Sequence, residues 1–196
     1  RTRQILDEAK SDANSQMGRA YASYLDDATV EARGLAPIQP WLDKVKGIKT
    51  KADYLAIAAQ GDRIGVGGVN YAYVGQDDKN PEVYIATLGQ SGLGMPDRDY
   101  YLSDAARFTD IRTKYKSYLQ NMLTLAREAN AAARAQAIYD LETQIAKAHW
   151  NRVDSRDADK TYNKMTVAQL SKLAPGYDYA AWLKGIGVNT SEVLVS

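Results

Sequence analysis

The sequence predicts a mainly α-helical lobe that carries one small β-hairpin. Apolar residues recur at three- and four-residue steps along most of the chain, which is the pattern of amphipathic helices. Two short runs, at about residues 66–74 and 83–88, are instead rich in β-branched residues and tyrosine, which favour strands. With 196 residues, of which 45% are hydrophobic and 25% charged, the chain is large enough to bury a core. We therefore expect a single folded lobe over residues 1–196.

The periodicity predicts seven helices, at residues 17–33, 41–48, 50–61, 108–129, 131–148, 166–173 and 179–186. The apolar stripe of the first runs from Met17 to Ala28, and Gly34 follows as a residue type that commonly ends helices. Thr50 and Asp53 have the spacing of a capping box at the start of the third. The stripe from Phe108 to Ala129 is the longest, so we expect a central helix roughly 30 Å long.

The two β runs are separated by the polar segment 76–81 and predict a β-hairpin. An isolated two-stranded hairpin is marginally stable in water. It should therefore pack on the helices or pair with residues outside this chain. Residues 193–195 are a further candidate strand, and no repeat or flexible linker divides the chain.

The segment 89–102 is predicted to be a shaped connector. Its glycines permit backbone angles that other residues avoid, and Pro96 fixes its own φ angle. Asp97 and Asp99 flank Arg98, where their carboxylates can accept backbone N–H groups and pair with the guanidinium. Next to a cation both carboxylates should stay ionised, whereas acid–base catalysis needs two different pKa values. We therefore interpret the triplet as structural.

Residues 92–102, which include the aromatic pair Tyr100 and Tyr101, resemble the Gly-Leu-Gly-x-Pro-x-Arg-x-Tyr-Tyr-Leu connector of the neprilysin and endothelin-converting-enzyme family of zinc endopeptidases. A second block resembles the family's Arg-Asp-x4-Tyr-Asn-Lys-Met-Thr run, and it consists of Arg156, Asp157, Tyr162, Asn163, Lys164, Met165 and Thr166. Softer matches at 26–37, 75–81 and 141–146 extend the resemblance over nearly the whole chain.

The resemblance implies the N-terminal, non-catalytic and mostly helical lobe of a bacterial zinc metalloendopeptidase. In that family the lobe faces a zinc-bearing catalytic lobe of the same polypeptide across a closed chamber and limits the substrates to peptides. The family's zinc-binding His-Glu-x-x-His motif does not occur in this chain. We therefore expect zinc in the parent enzyme, no catalytic or metal-binding residue here, and an inactive fragment. A periplasmic or secreted location follows by the same analogy.

The composition of the chain limits the functions and binding sites that it can have. The formal net charge of +1 predicts no nucleic-acid binding, and there is no apolar run long enough for a membrane segment. His149 is the single histidine and cysteine is absent, so we expect His149 to pack or cap near a helix end. Tyrosine supplies 14 of the 18 aromatic residues, which suits partly hydrated walls as well as ordinary half-buried helices. A stand-alone, non-enzymatic helical binding module is the alternative function.

Overall fold

The computed structural model describes residues 1–196 and is mainly α-helical, as predicted. Ten α-helices occur in the order α1 Thr2–Ala9, α2 Gln16–Tyr24, α3 Asp27–Arg33, α4 Gln39–Lys46, α5 Lys51–Asp62, α6 Asp99–Leu102, α7 Ala106–Leu125, α8 Ala131–Ala148, α9 Val167–Leu173 and α10 Tyr179–Ile186. Four strands complete the fold, and they are β1 Asn70–Asp77, β2 Asn80–Gln90, β3 Asn163–Thr166 and β4 Glu192–Val195. No helix is both long enough and apolar enough to cross a membrane.

The chain consists of two compact units, Arg1–Lys46 and Gly47–Ser196. The first unit contains α1 to α4. The prediction of one continuous helix at 17–33 is wrong, because the structure divides this segment into α2 and α3. The carboxylate of Asp26 accepts the backbone N–H of Thr29 at 3.0 Å and so begins a new helix. The single lobe expected over 1–196 stays a prediction.

The second unit has its main core between the sheet and helices α5, α9 and α10. The predicted capping box is present at the start of α5, where Thr50 and Asp53 exchange side-chain and backbone hydrogen bonds. Trp182 on α10 is 1% exposed, and its indole N–H donates to the Asp62 carboxylate at 2.8 Å. The buried residues of this core are Ala59, Ala86, Leu88, Leu170, Trp182, Leu183 and Val193.

The sheet has the strand order β1-β2-β4-β3. Strands β1 and β2 form the predicted antiparallel hairpin, with Tyr71 opposite Gly89, but they run over 70–77 and 80–90 instead of 66–74 and 83–88. The hairpin pairs in parallel with β4 of this same chain, through β2, and β1 forms an edge of the sheet. The predicted strand at 193–195 is β4, whereas β3 has no counterpart among the predictions.

Helices α6, α7 and α8 surround a second, smaller core. Its buried residues are Met95, Tyr101 and Ala146, each 5% exposed or less. Helix α7 ends at Leu125 and not at 129, because Arg127 and Asn130 have positive φ angles of 59° and 56° and reverse the chain into α8. The end of β2, the connector and the end of α8 meet beside this core, and the connector holds the first block of motif residues.

Candidate functional site

The connector passes close to its neighbours at two glycines. Gly92 has a φ angle of 88°, and a Cβ atom there would lie 3.1 Å from the Cα atom of Val69. A Cβ atom on Gly94 would lie 2.0 Å from the hydroxyl oxygen of Tyr115, which is far inside van der Waals contact. Both positions therefore need glycine, one for its backbone angle and one for space.

A buried hydrogen-bond network ties the connector to α7 and α8. Tyr101 donates its hydroxyl to the Glu142 carboxylate at 2.8 Å and accepts the backbone N–H of Met95 at 3.0 Å. Tyr115 donates to the same carboxylate at 2.8 Å. Burial, followed by the hydrogen bond to the carboxylate, raises the pKa of Tyr115, and burial raises the pKa of Tyr101 to about 12. Both hydroxyls consequently stay protonated donors, and the arrangement is structural.

Arg98 crosses from the connector to the end of α8. Its guanidinium donates to the backbone carbonyl oxygen of His149 at 3.0 Å. Asp97 accepts the backbone N–H of Asp99 at 2.9 Å and lies 3.6 Å from the guanidinium of Arg152. The expected capping role of Asp97 is present, but the guanidinium of Arg98 binds a carbonyl group and not its two acidic neighbours.

His149 lies at the C-terminal end of α8, as expected from the sequence. Its Nε2 atom is 2.9 Å from the carbonyl oxygen of Ser91, which joins the helix end to the connector. Burial is the main cause that lowers the pKa of His149, and the nearby Arg98 cation acts in the same direction. The neutral imidazole therefore serves as a packing and hydrogen-bonding group.

The second motif block begins in a turn that follows α8. Asp157 accepts the backbone N–H groups of Asp159 at 3.1 Å and Lys160 at 3.2 Å, and its carboxylate is 3.8 Å from the Lys160 ammonium. Arg156 is exposed, and its side chain makes no hydrogen bond or ion pair within the chain. The turn is held by charges that satisfy one another, whereas Arg156 faces solvent.

The end of the second block closes the sheet around a buried carboxylate. Asp77, at the tip of the hairpin, is 1% exposed and accepts the Tyr162 hydroxyl at 2.7 Å. The Lys164 ammonium lies 3.2 Å from the same carboxylate, and Asn163 donates to the carbonyl oxygen of Val195 at 3.1 Å. The hydrogen bond from Tyr162, followed by those from the Lys79 backbone and Lys164, lowers the pKa of Asp77 to about 2. These residues are structural ties between β1, β3 and β4.

The two motif blocks meet at one open cleft of about 520 Å³. Its charged residues are Asp97, Arg98, Arg152 and Arg156, so three guanidinium groups face a single carboxylate. The indole of Trp150, 44% exposed, forms part of the wall. The other lining residues are Gln90, Ser91, Leu93, Met95, Pro96, Tyr100, His149 and Ser155. We call this the arginine cleft.

Sequence reasoning singled out Asp97, Arg98, Tyr100 and Arg156 but did not predict that they share a cleft. It missed Arg152 and Trp150, which no motif marks. It gave no role to Glu142 or Asp77, although both lie in segments of the softer resemblance, 141–146 and 75–81.

The chain's own residues do not fit a zinc site. No three histidine, cysteine, aspartate or glutamate side chains come together in a group that could hold a metal ion. His149 is oriented toward a backbone carbonyl, and the Asp77 carboxylate is fully engaged by Tyr162 and Lys164. No catalytic step through zinc is therefore assigned to residues of this chain.

Comparison with known proteins identifies relatives over the full length of the chain. The model of peptidase family M13 matches residues 1–196. Neprilysin-3 of Drosophila melanogaster is 29% identical over 204 residues, an alignment that covers 95% of this chain and 26% of that protein. Endothelin-converting enzyme 1 of Rattus norvegicus is 28% identical over 199 residues, covering 94% and 26% respectively. The chain thus spans about a quarter of the length of these relatives.

Solved structures show the same fold. Zinc metalloprotease Zmp1 of Mycobacterium tuberculosis, in complex with an inhibitor, superimposes with a TM-score of 0.91 at 30% identity. That match covers 98% of this chain and 31% of the protease chain. PepO from Lactobacillus rhamnosis matches in fold with a TM-score of 0.76 at 17% identity, over 99% of this chain and 32% of its own.

Proposed function

The chain belongs to peptidase family M13, a family of zinc-dependent metallopeptidases, and we propose that it forms the substrate-restricting lobe of such an enzyme, with the zinc-bearing catalytic lobe elsewhere in the same polypeptide. The observation that supports this most directly is the match to Zmp1, in which 98% of this chain corresponds to 31% of a larger zinc protease. The mainly helical architecture agrees with the non-catalytic lobe that the sequence resemblance implies.

The proposed lobe acts by steric access to the active site. Its hydrogen-bond networks, one around Glu142 and one around Asp77, fix the connector on helices α7 and α8 and the tip of the hairpin on β3. A rigid wall can exclude folded proteins and bulk water while it admits short peptides, which are the proposed substrates. By the same family analogy we propose a periplasmic or secreted location for the parent enzyme.

Exposed tyrosines are the candidates for chamber walls. Tyr84 is 75% exposed, Tyr118 is 55% exposed and Tyr73 is 53% exposed, although each carries a large ring. Tyr118 stacks on Tyr115 with ring centroids 6.3 Å apart, so its ring projects from a fixed base. Such rings suit a surface that is in contact with both water and peptide.

The test uses the longer parent enzyme and the lengths of the peptides that it cleaves. Tyr73→Ala, Tyr84→Ala and Tyr118→Ala are each compared with the corresponding Tyr→Phe variant, which keeps the ring. We expect at least one alanine variant to cleave longer peptides than its phenylalanine control, with unchanged zinc content. Identical length profiles for all three pairs would refute the steric role.

A second experiment tests the assignment of the chemistry. The chain of 196 residues should neither retain stoichiometric zinc after purification nor cleave peptides that the parent enzyme cleaves. Tight zinc in metal analysis, removable with loss of a peptidase activity, would show that the chain carries its own catalytic site.

A further inference from the structure

The arginine cleft has an excess of positive charge that the chain itself does not neutralise. Of its three guanidinium groups, one belongs to Arg152, which lies 3.6 Å from the Asp97 carboxylate. No other carboxylate lines the cleft. The adjoining cavity contains Asp154 and Lys160, but these two form an ion pair with each other. Two cations, Arg98 and Arg156, are therefore left without a carboxylate partner.

These two guanidinium groups have N–H donors available. Arg98 is half-buried, and its contact with His149 uses one nitrogen of a group that carries five N–H donors. Arg156 is exposed and uses none within the chain. The planar fork of a guanidinium matches the two oxygens of a carboxylate, so carboxylates are suitable partners for both.

The rest of the wall is apolar and aromatic. Leu93, Met95 and Pro96 lie on the connector side, and the Trp150 indole is on the opposite segment. The backbone of Trp150 is held at both its N–H and its carbonyl by the side-chain amide of Gln90, at 2.9 and 3.4 Å. Tryptophan and arginine side chains are enriched where proteins bind other proteins.

A bare inorganic anion would bind the arginines but leave the indole and the apolar wall uncovered. A volume of about 520 Å³ lies within the usual range for ligand sites and has room for more than one side chain. A peptide segment that combines acidic with apolar side chains uses both kinds of surface.

We infer that the arginine cleft binds an acidic peptide segment from outside this chain, with carboxylate side chains on Arg98 and Arg156 and an apolar side chain against Trp150. This assignment does not depend on the proposed role in restricting substrates, because it concerns a surface of the chain as it stands.

The probe is the blocked peptide Ac-Glu-Leu-Glu-Leu-NH₂, whose charges lie only on side chains, and its neutral counterpart is Ac-Gln-Leu-Gln-Leu-NH₂. The readout is the indole N–H resonance of Trp150 in the isotope-labelled chain, which has three tryptophans and is assigned with Trp150→Phe. We expect the acidic peptide to shift the Trp150 signal and leave those of Trp41 and Trp182 in place. The shift should weaken as salt is added.

Arg156→Gln is the decisive variant, because that side chain makes no hydrogen bond or ion pair within the fold. It should weaken binding about three- to five-fold, the upper part of the range for an exposed ion pair. Arg63→Gln is the matched control, since Arg63 is another exposed arginine of the same unit and lines a different cavity. The affinity of the Arg63→Gln chain for the acidic peptide should stay unchanged.

Equal binding of the neutral peptide, an unmoved Trp150 signal, or an Arg156→Gln variant with full affinity would overturn the inference. In the longer parent protein the same titration separates two sources of the segment. A segment supplied by the same polypeptide would keep the added peptide out and would give Trp150 a resonance different from that in the 196-residue chain, whereas a separate peptide would bind directly and shift the signal. If the parent protein binds no added peptide and its Trp150 indole remains exposed, the assignment is wrong.

Discussion

Removing the Tyr101 hydroxyl should destabilise the second unit by about 3 kcal/mol. Tyr101→Phe deletes a hydrogen bond to the ionised Glu142, for which the usual contribution is about 1.5 to 3 kcal/mol. The same change leaves the backbone N–H of Met95, a residue 5% exposed, without its acceptor, which costs about 1 to 3 kcal/mol more. Glu142 keeps the hydrogen bond from Tyr115, so we place the sum of these two contributions in the lower half of its possible range.

Tyr100→Phe is the matched control, because it makes the same chemical change one residue earlier. Tyr100 is half-buried and packs edge-on against Phe108 with ring centroids 5.0 Å apart, but its hydroxyl has no partner in the chain. Its unfolding free energy should change by less than about 0.5 kcal/mol.

Urea denaturation of both variants measures the difference. With a slope of about 2 kcal/mol per M urea, the Tyr101→Phe midpoint should fall by about 1.5 M while the control stays in place. The pKa of Tyr101, raised to about 12, adds a pH dependence. Because the folded-state pKa lies above the unfolded value near 10, this stabilisation is complete below pH 10 and is lost as the pH rises toward 12. Equal midpoints for the two variants would refute the structural role of the hydroxyl.

Three further changes test other parts of the site. Gly94→Ala should destabilise by about 1 to 3 kcal/mol through a clash with a tyrosine hydroxyl, whereas Gly176→Ala, which meets nothing within 4 Å, should change the thermal midpoint little. Asp77 has a folded-state pKa of about 2, against 3.8 for an ordinary aspartate, so its contribution to stability is present above pH 4 and is lost as the pH falls toward 2. Asp77→Asn should therefore make the free energy of unfolding fall less steeply over this acidic range. An unchanged slope would contradict the prediction. Arg98→Ala should cost about 1 to 3 kcal/mol, because it frees a carbonyl at the end of α8, whereas Arg156→Ala should cost less than about 0.5 kcal/mol; equal denaturation midpoints would show that the Arg98 contact is unimportant.

The sequence predicts most helices of this fold because their apolar stripes are long. It fails where a short polar signal competes with a stripe. The apolar period runs from Met17 to Ala28 without interruption, yet the Asp26 carboxylate caps a new helix inside it. Strand β3 was missed because Asn163–Thr166 is short and polar, and its strand character comes from pairing with β4.

The motif residues of the site could be found from the sequence, whereas their partners could not. Asp97, Arg98 and Asp99 are adjacent, so local pairing was the simplest expectation. In the fold Arg98 reaches a carbonyl group 51 residues away, and Tyr162 reaches Asp77 across 85 residues. Such contacts depend on which helix ends come together, and side-chain chemistry alone does not determine that.

The parallel pairing of β2 with β4 places a constraint on the order of synthesis. Strand β2 ends at Gln90 and β4 begins at Glu192, so the hairpin leaves the ribosome roughly 100 residues before its partner. At about 5 to 20 residues per second, the delay is roughly 5 to 20 seconds. During that interval an apolar strand edge with Ile85, Ala86 and Leu88 has no neighbour, and such edges pair readily with other chains. We therefore expect the nascent hairpin to be prone to pairing with other chains until β4 has been synthesised.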